Sequence, residues 1–137
     1  MSDTISYNPN DYADILKLIS DNNYAQDKHI KVKNFEHLFV LKYNKSKLTT
    51  ENINSLGLFR SIIVNKEGHI VSFAPPKSID FDIFSQSNKY EDCYIQHFPE
   101  GTMINVFFDK EFDDWQIATR SSIGAKCNFN MDSNITY

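Results

Sequence analysis

Between Leu58 and Pro76 the chain writes a strand, a tight turn, a return strand and a stop, the order of a β-hairpin. Leu58 to Val64 is apolar and rich in β-branched residues, which suit a pleated surface. Asn65-Lys66-Glu67-Gly68 follows, a turn in which Gly68 is free to take positive φ. His69 to Phe73 returns as the partner strand. Pro75-Pro76 ends it, because proline has no N–H to give to a ladder. A chain organised around such a hairpin is expected to form antiparallel sheet.

The rest of the chain extends this pattern. Ile30 to Phe35 alternates apolar and polar residues, and Leu38 to Tyr43 is a short strand-like run. Cys93 to Phe98, Thr102 to Phe108 and Trp115 to Arg120 predict three further strands. Residues 8–21 predict a helix, capped by Asn8 or Asn10 with Pro9 in its first turn, and with Tyr12, Ile15, Leu16 and Ile19 as its packing face. A short amphipathic helix is expected over Ile79 to Ser87, and a loop or short helix over Asn44 to Asn54. The expected fold is α+β: a mainly antiparallel sheet with an N-terminal helix and one or two short helices. The length of 137 residues predicts a single domain over 1–137, large enough for its own core.

Composition removes several classes. Hydrophobic residues at 41% and charged residues at 23% exclude a disordered tail. A net charge of −4, with only scattered pairs such as Lys31/Lys33 and Lys45/Lys47, argues against a strongly basic nucleic-acid binder but leaves a local basic groove open. Cys93 and Cys127 have no metal-type spacing and read as reduced thiols. His29, His37, His69 and His97 are dispersed, so no metal ligands are assigned. Asp109, Glu111, Asp113 and Asp114 form an acidic turn whose spacing matches no calcium loop, and it reads as a solvated hairpin tip. The start of the chain lacks the features of a signal peptide, and no apolar run approaches the ~18 residues that span a membrane. A cytoplasmic protein without membrane contact is the expectation.

Unusual residues concentrate between 98 and 122. Glu100-Gly101-Thr102 lies between two expected strands, and Thr119-Arg120-Ser121-Ser122 follows two strand-lengths later. In an antiparallel hairpin these would bring a carboxylate, a hydroxyl and a guanidinium to one end of a sheet. Such a set suits a nucleotide, the carboxylate for ribose hydroxyls and the arginine for phosphate.

Four segments in order resemble the adenylation domain of RNA ligases of the phage RNA ligase 1 type, within the covalent nucleotidyltransferase superfamily. The hairpin from Leu58 to Ser72 resembles the family's Arg-Gly and Gly-x-Ile-Val segments, and Phe73-Ala74-Pro75-Pro76-Lys77 is similar to its Pro-Phe-x-Lys segment. Phe98-Pro99-Glu100-Gly101-Thr102 resembles the Lys-x-Asp-Gly-Ser/Thr motif. Trp115 to Ser122 is similar to the Trp-x-x-x-Thr-Arg-Gly-Ser strand. Glu100 to Asn105 is also similar to a segment of ligase-like proteins from large DNA viruses. The resemblance is strongest over 56–125 and implies a partial nucleotidyltransferase core. It further implies ATP and Mg²⁺ as cofactors, and Arg60, Lys77, Glu100, Thr102 and Arg120 as nucleotide-binding residues. In that family the motif lysine attacks the α-phosphate of ATP; here Phe98 stands in its place and has no nucleophilic atom. No catalytic residue is therefore assigned, and Lys77 is the only lysine in view as a substitute. Three functions stay open: a degenerate module that binds RNA or nucleotide without self-adenylation, a structural or protein-binding domain on a ligase scaffold, and a fragment of an active ATP-dependent ligase.

Overall fold

The computed structural model of the chain describes residues 7–124. Its centre is an antiparallel sheet of four strands in sequence order: β1 (Ile30–Phe35), β2 (Leu38–Tyr43), β3 (Ile62–Asn65) and β4 (Ile70–Phe73). Phe35 pairs with Leu38, so only Glu36 and His37 join β1 to β2, and Glu36 takes a positive φ of 54°. Gly68 turns between β3 and β4 at φ 78°. A Cβ there would lie 2.9 Å from the end of the exposed Leu16 side chain, which can move aside, so it is the backbone angle that calls for glycine.

Side chains alternate across a strand, and this sheet buries both faces. One face carries Ile30, Leu41, Tyr43, Ile62 and Val64, packed with Phe59 against Ile15, Leu18 and Ala25 of the N-terminal helices. The other carries Leu38, Val40 and Ile63 against Phe107 and Ala118. Those last two belong to a separate hairpin, β5 (Ile104–Asp109) and β6 (Asp114–Thr119), paired in register from Ile104↔Thr119 to Asp109↔Asp114. The layers therefore run helices, sheet, hairpin, and the α+β class with antiparallel sheets is as expected.

Three expectations are corrected. The single helix over 8–21 is a 3-10 turn at Pro9–Asp11 followed by α1 (Ile15–Ser20) and α2 (Asn22–Asp27). Asp14 and Asp21 each take extended backbone angles and accept from N–H groups of the next turn, so each starts a new helix. The buried face is Ile15 and Leu18, with Tyr12 and Ile19 partly covered, whereas Leu16 is exposed. The strand expected from Leu58 begins only at Ile62, because Leu56–Leu58 close a 3-10 turn and Phe59 carries the chain into the core. The strand expected over 93–98 does not form: residues 93–103 lie in no helix or strand and find no ladder partner. The short helix α3 (Phe81–Ser87) does form, capped by Asp80, but buries none of its residues.

Cys93 is a free thiol donating to the Lys89 carbonyl; Cys127 lies outside the described residues. Among the described residues no helix is long and apolar enough to cross a membrane.

Candidate anion-binding site

Two contacts fasten the β5–β6 hairpin along β2, one at each end. At the tip, the buried His37 ring holds the buried Asp109 carboxylate, with Nε2 at 2.9 and 2.8 Å from its two oxygens. His37 Nδ1 faces Glu111 at 3.3 Å, and Phe112 meets the ring edge-on. The acidic turn is thus not wholly solvated: Asp109 points inward because β5 buries alternate residues, Asn105, Phe107 and Asp109. Among the described residues no set of three His, Cys, Asp or Glu side chains is arranged to hold a metal ion. This end reads as a buried polar latch.

The opposite end is basic. β6 stops at Thr119, and the chain folds back at once: Thr119 N–H donates to the Ser122 carbonyl, and Ile123 bridges Ala118. That turn projects Arg120 and Ser121 toward the sheet. Lys42 Nζ donates to Ser121 Oγ at 2.9 Å. Arg120 Nε donates to the Arg60 carbonyl at 3.3 Å, and its guanidinium stands 5.0 Å over the Tyr43 ring.

Strand register supplies the remaining cations. Lys31 pairs directly with Lys42, and Lys33 lies two residues along β1 on the same face. Lys45 follows in the 3-10 turn after β2. Burial, then the positive charges of Arg120, Lys31, Lys33 and Lys45, push the Lys42 ammonium below the usual lysine value. Every charge acting on Lys42 is positive, and among the described residues none of these five cations is paired with a carboxylate. Like charges repel, weakly at the exposed Lys31, Lys33 and Lys45 and more at the partly covered Lys42, so the group favours a bound anion.

Buried donors adjoin this end. One step beyond the pair Leu41↔Ile62, the register brings Ser61 level with Lys42, on the face of Val40 and Ile63. Ser61 Oγ and Asn105 Nδ2 are both buried and have no hydrogen-bond partner among the described residues. Asn105 is the inward residue of β5 nearest the Lys42 end, next to Ala118 in register. Buried polar groups are nearly always satisfied, so these two donors are unusual, but both are closed off from solvent and belong to the interior beneath the cations rather than to their ligand-facing surface.

The residues expected from sequence divide. Arg60 and Arg120 come together. Lys77 lies elsewhere: its N–H donates to the Gly57 carbonyl, its amine turns onto Ser78, and it lines a separate cleft with Pro76, Ile79 and Phe84. Glu100 and Thr102 are exposed on the 93–103 segment, and neither hydrogen bond nor ion pair joins Glu100 to either arginine. Phe98 is 84% exposed on that same segment. Lys31, Lys33, Lys42, Lys45, Ser61, Asn105 and Ser121 have no place in the sequence-derived set. The two-residue loop at Glu36-His37 was the signal for the first three, since it fixes Lys31 opposite Lys42.

Comparison with protein-family models, with characterised proteins and with solved structures returned no match.

Proposed function

We propose that this chain binds RNA or a nucleotide through its phosphates, without covalent self-adenylation, as a degenerate RNA ligase-like module. The observation that carries the proposal is the group of Lys31, Lys33, Lys42, Lys45 and Arg120, gathered without a carboxylate partner in a protein of net charge −4. The sequence resemblance to RNA ligases supplies the class of anion. Phe98 at the motif position supports the non-covalent character, because no group on it can attack a phosphate. Arg60 supports Arg120 through its carbonyl, while Lys77, Glu100 and Thr102 would serve only a ligand that reaches beyond this end of the sheet. ATP with Mg²⁺ is included among the nucleotides to be tested.

Binding is to be measured by the anisotropy of a labelled single-stranded RNA and by competition with ATP. Charge reversal by Lys31→Glu with Lys42→Glu is expected to abolish binding of either ligand. Absence of binding by the unaltered chain, or binding indifferent to that double reversal, would sink the proposal. A second assay addresses covalency: after incubation with α-labelled ATP and Mg²⁺, the denatured protein is expected to carry no label. A labelled protein would restore the active-ligase reading, and Lys42 is where the label would be sought, since its lowered pKa leaves more free amine than an ordinary lysine has.

The lowered pKa also fixes a pH dependence. Phosphate is held by the charged form of Lys42. Affinity is therefore expected to fall as pH rises through the lowered Lys42 value, earlier than solvated lysines titrate. Lys42→Arg keeps its charge throughout and should remove that step; a profile identical in both proteins would show that Lys42 does not contact the anion.

A further inference from the structure

The outward face of the β5–β6 hairpin carries a second surface unrelated to the cations. Cross-strand partners share a face, so Phe108 with Trp115, and Val106 with Ile117, lie side by side, with Ile104 at the end of the row. These five residues are 40–64% exposed, and no charged side chain interrupts them. Phe108 and Trp115 meet edge-on with ring centroids 5.7 Å apart, which makes the centre of the patch a firm aromatic pair.

We propose that this face is the interface of a two-fold homodimer. Half-exposed, the five side chains offer about 500 Å² of apolar surface, at the upper end of what monomers leave uncovered. A standard interface draws about 800 Å² from each partner, a little over half of it apolar, so the patch meets the apolar share. A twisted two-stranded face packs on a copy of itself as one sheet on another, with no shape required of a foreign partner. Charge selects the arrangement. The hairpin tip bears the exposed carboxylates Asp113 and Asp114, while Glu111 turns to His37 and Arg120 turns to the sheet. A two-fold axis in the plane of the patch and across the strands places the two acidic tips at opposite ends, whereas one along the strands would set them side by side, so the first arrangement is selected. The same acidic tip disfavours an anionic membrane or a nucleic acid on this face.

Sedimentation of the full chain, from low micromolar to several hundred micromolar, tests this. The expected result is a reversible shift from one chain mass to two. The emission of Trp115, the single tryptophan, should move to shorter wavelength over the same concentration range. Val106→Lys is expected to leave a monomer with an unchanged circular dichroism spectrum, and Ile117→Lys on the other strand is the second variant should the first misfold. A chain that stays monomeric throughout, a series that grows past two copies, or a dimer indifferent to both lysines would overturn the proposal.

Discussion

In the segment from Ile15 to Ala74, helices and sheet bury side chains as bulky as Phe59, Leu18 and Leu41 completely, whereas between Phe81 and Phe98 no residue is buried. The two segments do not differ for want of apolar residues: Phe81, Phe84, Tyr90, Tyr94, Ile95 and Phe98 are as hydrophobic as the core. They differ in what holds the backbone. Residues 30–73 are tied strand to strand, so alternate side chains are delivered together to one face. Residues 93–103 have no ladder, and their aromatic rings are left in solvent or against the cleft beside α3. Most of the core comes from residues that the ladders and the N-terminal helices align; Leu56, Leu58 and Phe59 join it from the 3-10 turn that leads into β3, while the capped α3 stays outside.

The hardest blow to that contrast comes from paired truncations. Phe59→Ala is expected to cost about 3–5 kcal/mol, the range for emptying a closed core, and Phe81→Ala no more than about 0.5 kcal/mol. Urea unfolding of both variants decides it, and a comparable loss from Phe81→Ala would mean that the second segment is as closed as the first. Asp109→Ala tests the boundary between the regions. Leaving His37 buried without its carboxylate is expected to cost about 3 kcal/mol. Amide exchange should then quicken first in 104–119 while 38–43 and 62–65 stay protected; equal loss in both would show the hairpin to be part of one cooperative unit. Lys42→Ala should leave stability within about 0.5 kcal/mol and reduce the salt dependence of RNA binding by the equivalent of about one phosphate contact. The same change at Lys110, exposed on the far tip, should leave both stability and salt dependence unchanged. The smallest effect is expected at Glu36, whose left-handed backbone glycine adopts without strain: Glu36→Gly should stabilise by less than about 1 kcal/mol, seen as a small rise in the urea midpoint.

Much of the sheet was legible because its signals are local. Alternation marked β1, the turn ending in Gly68 marked β3 and β4, and the acidic turn marked the bend between β5 and β6. The helix over 8–21 failed because Asp14 read as an ordinary polar position and Asp21 as a helix end, until their side chains are seen to cap the helices that follow them. The strand over 93–98 failed because β propensity alone does not supply a neighbour. The site was less legible than the fold. Its defining contacts join Lys42 to Ser121 and His37 to Asp109, 79 and 72 residues apart. Lys31 and Lys33 looked like a scattered pair because the charges that complete the group arrive from other parts of the chain.

The loop of Glu36 and His37 has a consequence for how this chain tolerates change in length. Surface turns ordinarily absorb an extra residue, but here the turn counts. With two residues, odd-numbered β1 positions face the hairpin and even-numbered ones face the helices. A third residue would slide β1 by one place, carrying Lys31 and Lys33 against α1 and α2 and turning Ile30 and Val32 outward, unless a bulge took up the slip. An insertion at Glu36, far from any ligand, is therefore expected to dismantle the cation group, whereas one at the polar stretch of Thr49 to Asn54 would leave the register untouched.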